Sequence, residues 1–238
     1  MSEAVGSQPS LGDVARSETP NAEPSVLSVT ESTWVSADRL QRAAKRLVDI
    51  VGSVGGLILL APVLLAISIW IKVDSPGPIL YRRRIIGQNG REFTALKFRS
   101  MVRDAHARLF ADAALLEEYR EHLKIADDPR ITRSGLWLRR TSLDELPQLI
   151  NVLVGSMSLV GPRMLGDVEL ERYGADRDMV LSCKPGITGL WQVSGRQTTT
   201  FEVRRQLDVT YVRKRGLWLD FKILARTIPV VVSGDGAG

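Results

Sequence analysis

Residues 50–71 read IVGSVGGLILLAPVLLAISIWI, a run of 22 residues without a charge. As a helix this run extends roughly 33 Å, enough for the hydrocarbon core of a bilayer. Basic residues flank it on both sides: Arg39, Arg42, Lys45 and Arg46 before, and Lys72, Arg82, Arg83 and Arg84 after. A spanning helix keeps most of its positive charge on one side, so both ends read as cytosolic. Pro62 falls near the middle and removes a backbone hydrogen bond, while Gly52, Gly55 and Gly56 weaken the first half. The reading is a re-entrant helix that enters from the cytosolic face, breaks at Ala61 and Pro62 and returns, each arm roughly 14 to 18 Å long. A kinked single-pass anchor is the alternative, because prolines also occur in spanning helices.

Before this run, residues 1–38 are rich in Ser, Glu, Pro and small residues and show neither helical nor strand periodicity, so they are expected to form a disordered acidic tail. They carry Glu3, Asp13, Glu18, Glu23, Glu31 and Asp38 against Arg16 alone, a net of −5 within a chain of net +5. The remaining body is therefore basic at +10, which suits phosphate-bearing partners such as nucleotides, anionic lipid or nucleic acid. The tail has no early positive residues followed by an apolar core, so a secretory signal is not expected and the N-terminus is placed in the cytosol. A single cysteine, Cys183, excludes an internal disulfide, and with only two histidines the usual four-ligand zinc site is excluded too. A catalytic metal would need oxygen ligands.

Beyond the run, residues 76–238 read as a folded body on the cytosolic side. Two short apolar stretches, ILY and FTALKF, flank the turn Gly87-Gln88-Asn89-Gly90 and predict a β-hairpin or two short strands. Residues 104–124 fit one amphipathic helix, ended by Asp127-Asp128-Pro129. SLDELPQLINVLV, residues 142–154, begins with Ser142 followed three residues later by Glu145, the capping-box spacing of a helix start. Residues 218–232 form either a core helix or one lying in the membrane interface. The fold class is mainly α with a small β-hairpin, arranged as a monotopic membrane protein: tail 1–38, membrane segment 39–75 and catalytic domain 76–238 with interfacial helices.

The chemistry centres on Asp144 and Glu145. Two carboxylates in a first helical turn can be ordinary capping residues, but they can also hold Mg²⁺ or supply an oxygen nucleophile. Arg139 and Arg140 precede the pair and Arg163 follows, and arginines clamp phosphate oxygens in bidentate fashion. Lys97, Arg99, Lys184 and Arg196 add cations beside glycines or turns, although each alone is ordinary surface charge. The chain contains no GxxxxGK[ST] loop, no GxGxxG fingerprint and no HExxH motif, so the common nucleotide folds and zinc proteases are unsupported. Asp127-Asp128 reads as a turn before Pro129 rather than as a metal-binding pair.

KRLVDI (45–50), DSPGPI (74–79), LKFRSM (96–101), RRTSLDELPQLINVLVGSMSLVGPR (139–163) and KPGITGLWQVSGR (184–196) together resemble the bacterial monotopic phosphoglycosyl transferases, the undecaprenyl-phosphate sugar phosphotransferases that prime exopolysaccharide and related glycans. The resemblance covers about residues 42–231. It implies transfer of a sugar 1-phosphate from a UDP-sugar to undecaprenyl phosphate, with UMP released and Mg²⁺ as cofactor. It also implies an inner-membrane location with the active site on the cytosolic face. On the same footing Asp144 is the nucleophile of a covalent aspartyl phosphosugar and Glu145 its metal-site partner or proton acceptor. Lys97, Arg139 and Arg163 then lie near the phosphates, with Arg99, Lys184 and Arg196 as further phosphate ligands.

Two departures from the family pattern stand out: Met164, where a second proline usually follows GPR, and Ser156, where GSMS more often carries an acidic residue. UDP-glucose or UDP-galactose is the expected donor. A non-catalytic, membrane-anchored scaffold of a polysaccharide assembly is the competing reading. Membrane lipid is an expected partner, nucleic acid is not, and a homo-oligomer is left open.

Overall fold

The computed structural model describes residues 26–122, 125, 127–195 and 200–233. The chain divides into two compact units, residues 1–40 and 41–238. In the first, the described residues form the start of helix α1 (Val26–Asp74). The segment 26–38, placed in the acidic tail by its composition, is thus helical, while residues 1–25 lie outside the described residues. It contains no Pro or Gly, and a nucleated helix lengthens by one hydrogen bond for each residue ordered.

Helix α1 breaks where Pro62 requires it, bending by 61° between Arg39–Leu59 and Ala61–Asp74. Pro62 has no N–H to offer the carbonyl of Ile58, and its ring crowds that carbonyl. The element is therefore an open bend instead of two arms folded back on one another. No single helix among the described residues is long and apolar enough to cross a membrane, whereas the two arms meet that test together across the bend. Asp49 and Ser53 in one arm, and Ile67 and Ile71 in the other, are spaced by four and buried. The opposite face leaves Leu47, Val51, Ile58, Leu59, Leu65, Ile69 and Val73 exposed.

Strands β1 (Leu80–Ile86) and β2 (Glu92–Phe98) form the expected antiparallel hairpin, with Leu80 opposite Phe98 and Ile86 opposite Glu92. Asn89 (φ 56°) and Gly90 (φ +74°) make its turn, a left-handed pair that an Asn-Gly sequence adopts at little cost. The single helix expected over 104–124 is two, α2 (Ala105–Ala111) and α3 (Ala113–His122). Asp112 separates them: its Oδ1 accepts from the N–H groups of Ala114 and Leu115 at 3.0 and 3.2 Å, starting a new helix by capping it.

The helix expected from Ser142 also resolves differently. Helix α4 (Arg133–Thr141) ends at Ser142, which is left-handed (φ 57°) and returns its N–H to the carbonyls of Arg139 and Leu138. A 3₁₀ turn then covers Leu143–Glu145, and helix α5 (Gln148–Val154) begins only after Pro147. The capping box is absent, because Ser142 closes one helix and its side chain caps nothing. After α5 come β3 (Ser158–Val160), α6 (Asp167–Glu171), α7 (Arg177–Leu181) and β4 (Gly186–Thr188). Strands β3 and β4 pair in parallel, a second small sheet that three-residue strands do not announce in sequence. Helices α8 (Phe201–Lys214) and α9 (Leu217–Ser233) complete the fold; α9 contains the 218–232 helix and buries Asp220 and Ile223 while exposing Trp218, Phe221 and Ile228.

Long-range polar clips fasten these elements. Asp49 accepts from Ser158 Oγ and from the backbone N–H of Leu159, both at 2.9 Å. Lys45 reaches Asp220 at 2.7 Å, and Arg46 donates to the carbonyls of Val152 and Leu153 at the end of α5. At the far end of α1, Asp74 accepts from the backbone and hydroxyl of Ser134 on α4. Asn151 joins α5 to the edge of β2, accepting from Leu96 N–H at 2.9 Å and donating to the Thr94 carbonyl at 2.7 Å. Replacing Asn151 with Ala leaves both of those β2 backbone groups unpaired. Chemical unfolding of the detergent-solubilised chain should show a loss of about 2–4 kcal/mol for Asn151→Ala.

Candidate active site

Lys97, in strand β2, and Asp144 and Glu145, in the 3₁₀ turn between α4 and α5, come together. Asn151 holds α5 against β2, so the turn that precedes α5 lies beside the strand. Lys97 Nζ lies 2.5 Å from Glu145 Oε1 and 3.8 Å from Asp144 Oδ2. Asp144 is buried, and burial pushes its carboxyl up to about 6; the adjacent Glu145 adds to the rise, while Lys97 and Arg139 oppose it. A carboxylate taken out of water without full hydrogen-bond compensation is poised between its two protonation states near neutrality.

Arg139, on the last turn of α4, brings a second cation within electrostatic reach of Asp144. Its Nε donates to Ser100 Oγ at 2.9 Å. Ser100 reaches this position because α4 crosses its backbone at close range: Thr132 N–H donates to the Ser100 carbonyl, and a Cβ on Gly135 would stand 2.0 Å from the same oxygen. Nearby, Asp128 and Arg130 form a buried ion pair at 2.6 Å, with Asp127 left-handed at φ 47°, so Asp127-Asp128 is a turn. Ser100 and Arg130 were not singled out in sequence. Nothing in a Ser two residues after a strand signals an arginine partner 39 positions away.

Arg99, Lys184 and Arg163, also expected near phosphate, come from other parts of the fold. Arg99 is buried at the C-terminal end of α1, where it donates to the carbonyls of Pro76 at 2.6 Å and Ser75 at 2.7 Å and to the Ser75 hydroxyl. Its guanidinium caps a helix end instead of facing the dyad. Lys184 lies beside Gly155 and Arg46 at the opposite end of α5 from Asp144, and its ammonium is destabilised by burial first and by Arg46 next. Arg163 follows β3 in a loop whose backbone N–H donates to Asp208 Oδ1, and its guanidinium carbon lies 5.0 Å from the centroid of Trp191. Arg196 lies outside the described residues. Met164, one of the two departures, is buried among Ile85, Ala95, Val152 and Met157, and Ser156 accepts from Asn151 and donates to its carbonyl.

Among the described residues no group of three or more His, Cys, Asp or Glu is arranged to hold a metal. Magnesium does not demand one: it commonly binds through one or two carboxylates and completes its shell with water and substrate phosphates. Asp144 and Glu145, adjacent in one turn and opening beside Lys97 and Arg139, fit that donor set.

Residues 40–234 match the family described as bacterial sugar transferase. The chain is 46% identical over 205 residues to the UDP-galactose-lipid carrier transferase of Erwinia amylovora, covering 84% of this chain and 43% of that protein. It is 42% identical over 202 residues to the UDP-glucose:undecaprenyl-phosphate glucose-1-phosphate transferase of Xanthomonas campestris, covering 81% of this chain and 40% of that one. With the exopolysaccharide production protein ExoY of Sinorhizobium fredii it shares 40% over 198 residues, 82% of this chain and 88% of ExoY. The chain thus spans less than half of the two longer relatives and nearly the length of the shorter. The extent of the match shows that the chain belongs to the bacterial sugar transferase family.

Proposed function

We propose that the chain transfers a sugar 1-phosphate from a UDP-sugar, glucose or galactose being the donors named among its relatives, to undecaprenyl phosphate. The observation that carries this reading is Asp144, a buried carboxylate with a raised affinity for its proton, flanked by Lys97 and Arg139. An Oδ of ionised Asp144 attacks the sugar-bearing phosphorus, forming a P–O bond to the carboxylate. The phosphoanhydride bond to UMP breaks, and its electron pair leaves on the UMP oxygen. A phosphate oxygen of undecaprenyl phosphate then attacks the same phosphorus and returns the carboxylate. Lys97 and Arg139 stabilise charge on the transferring group. Asp144 and Glu145 are the residues that would hold a Mg²⁺ ion, which would supply further charge neutralisation.

The same reading places α1 in the cytosolic leaflet of the inner membrane as a re-entrant element. It is supported by the 61° bend, the exposed apolar face and the cations at both ends. In a Cys183→Ser background, cysteines placed at exposed Ala43 and Arg82 should both be labelled from the cytosolic side alone. Labelling of either cysteine from the periplasm would show a spanning anchor.

UMP release by the detergent-purified chain, with undecaprenyl phosphate, Mg²⁺ and each UDP-hexose in turn, tests the reaction directly. Release with at least one donor is expected, and Asp144→Asn should abolish it; undiminished release in that variant rules out the covalent step. Because the nucleophile must be ionised, UMP release before acceptor is added should fall with falling pH once Asp144 takes up its proton and stay level above that range. The folded-state value lies above the ordinary 3.8, so the folded protein binds the proton more tightly than the unfolded chain, and stability falls as pH rises through that window. Asp144→Asn, though inactive, should therefore be more stable than wild type at pH 7.5, by roughly 1 to 3 kcal/mol in thermal or chemical unfolding.

A further inference from the structure

Helix α5 opens on Gln148, a side chain with no exposed surface. Both ends of its amide, Nε2 and Oε1, are buried without a hydrogen-bond partner among the described residues. Its neighbours fix the row in which it sits. Leu146, Leu149 and Ile150 each return an N–H to the carbonyl three residues back, and at that spacing side chains three apart nearly align. Glu145, Gln148 and Asn151 therefore form one row, and its two outer members both meet β2: Glu145 through Lys97, and Asn151 through the Leu96 N–H and the Thr94 carbonyl. Gln148 lies between them, one turn beyond the dyad.

Two amides of the same row are thus treated oppositely. Asn151 engages its oxygen with Leu96 and its nitrogen with Thr94 and Ser156, whereas Gln148 engages neither. A primary amide sealed from water without partners carries a desolvation cost, and an apolar side chain would serve the resting fold better. An amide idle in this state has its partners in another. Because it is wholly buried, those partners are neighbouring side chains and not a substrate arriving from solvent. Two groups at the head of the row can supply them. The Lys97 ammonium carries three donors, one of which goes to Glu145, and the Asp144 carboxyl has Lys97 only at 3.8 Å. Of the two, Asp144 is the group whose bonding changes during the proposed reaction: negative charge leaves it as the phosphosugar is taken on and returns as the phosphosugar departs.

We propose that Gln148 is a positioning residue that acts through Asp144 in the second half of the transfer: its Nε2 donates to the carboxyl oxygen of Asp144 that is not bonded to phosphorus, while its Oε1 accepts from Lys97. The role rests on the aspartyl phosphosugar reading above. When a phosphate oxygen of the acceptor attacks phosphorus, the P–O bond to Asp144 breaks and its electron pair returns to the carboxylate. A donor on the other carboxyl oxygen stabilises that returning charge and makes the carboxylate a better leaving group. The first half gains nothing from the same donor, because there the charge flows out of the carboxylate.

Gln148→Met, which keeps the length and removes both polar atoms, tests this in the detergent-purified full chain with a UDP-hexose labelled in its sugar. The burst of UMP released before acceptor is added should stay within about twofold of wild type, which also shows that the variant is folded. Passage of the label from the preloaded chain to undecaprenyl phosphate should slow at least about tenfold. The midpoint of chemical unfolding should equal or exceed that of wild type, since the amide removed is unpaired in the resting fold. A lower midpoint, or an equal loss in both halves of the reaction, shows an amide that serves the fold, for instance through a buried water, and overturns the proposal. Undiminished passage of label overturns it as well. Wild type separates the two levels: a burst there with undiminished passage in Gln148→Met removes the role of Gln148 alone, whereas UMP release that begins only once acceptor is present removes the covalent step on which that role rests.

Discussion

Two adjacent carboxylates cannot both be held ionised in a mostly buried turn unless a cation shares it, and in this protein the cation is Lys97. Its ammonium touches Glu145 closely and Asp144 at longer range, so the two acids are treated unequally. Glu145 has the strong partner. Asp144 keeps the larger burial penalty and with it the raised affinity for a proton. That asymmetry suits the nucleophilic role proposed for Asp144, because a carboxylate poorly satisfied by its surroundings gains by bonding to phosphorus. It also dictates the fold around it, because Lys97 comes from a strand and the acids from an interhelical turn 47 residues away in sequence. Asn151 between α5 and β2, and Asp74 between α1 and α4, fix the distance between those two sources.

The basic body of the chain divides its arginines and lysines between two physical tasks. Arg46 and Arg99 meet backbone carbonyls at helix ends, and Lys45 pairs with Asp220 inside the fold. These cations close α1 onto α5, β2 and α9 and are occupied in doing so. Lys97, Arg139 and Arg163 instead come from strands, loops or helix ends that leave their charge facing side chains or open space. A helix C-terminus and a phosphate both offer oxygens carrying negative charge, so an arginine beside a turn motif serves either. A turn motif alone does not tell the two apart; the packing of α1 shows that Arg99 meets backbone carbonyls.

What could be read in the sequence was governed by local chemistry. Pro62 breaks α1 and Asn89-Gly90 turns the β-hairpin because each restricts or permits backbone angles without regard to distant residues. Asp112 and Ser142 were misread for the converse reason. Asp112 was hidden in an apolar period that continues through it, yet its side chain starts a fresh helix. Ser142 has the right neighbour three residues on, but Glu145 is drawn to Lys97, a partner that no window of local sequence contains. Strands β3 and β4, three residues each, exist only through each other. The dyad itself was legible by motif, while the groups that aim it, Ser100 above all, arise from tertiary crossings such as Gly135 over the Ser100 carbonyl.

The proposed reaction, between a water-soluble donor and a lipid-borne acceptor, requires a centre whose two sides differ in polarity, and the surroundings of Asp144 differ in that sense. On α4 and α5, which flank its turn, Leu136, Trp137, Ile150 and Val154 remain exposed. Trp137 meets Trp70 at 5.4 Å between ring centroids, so this apolar surface continues onto the second arm of α1. That arm carries its own exposed Leu65, Ile69 and Val73. Exposed apolar area of this extent is unfavourable in water and is stable only when covered. The bend at Pro62 lets one helix serve both requirements. Its first arm is clipped by Lys45, Arg46 and Asp49 to α9, α5 and β3, and its second carries apolar surface up to the dyad. A straight helix of the same length would carry that second arm away from α4, and the turn that holds Asp144 would lose the apolar flank that the proposed polyprenyl acceptor requires.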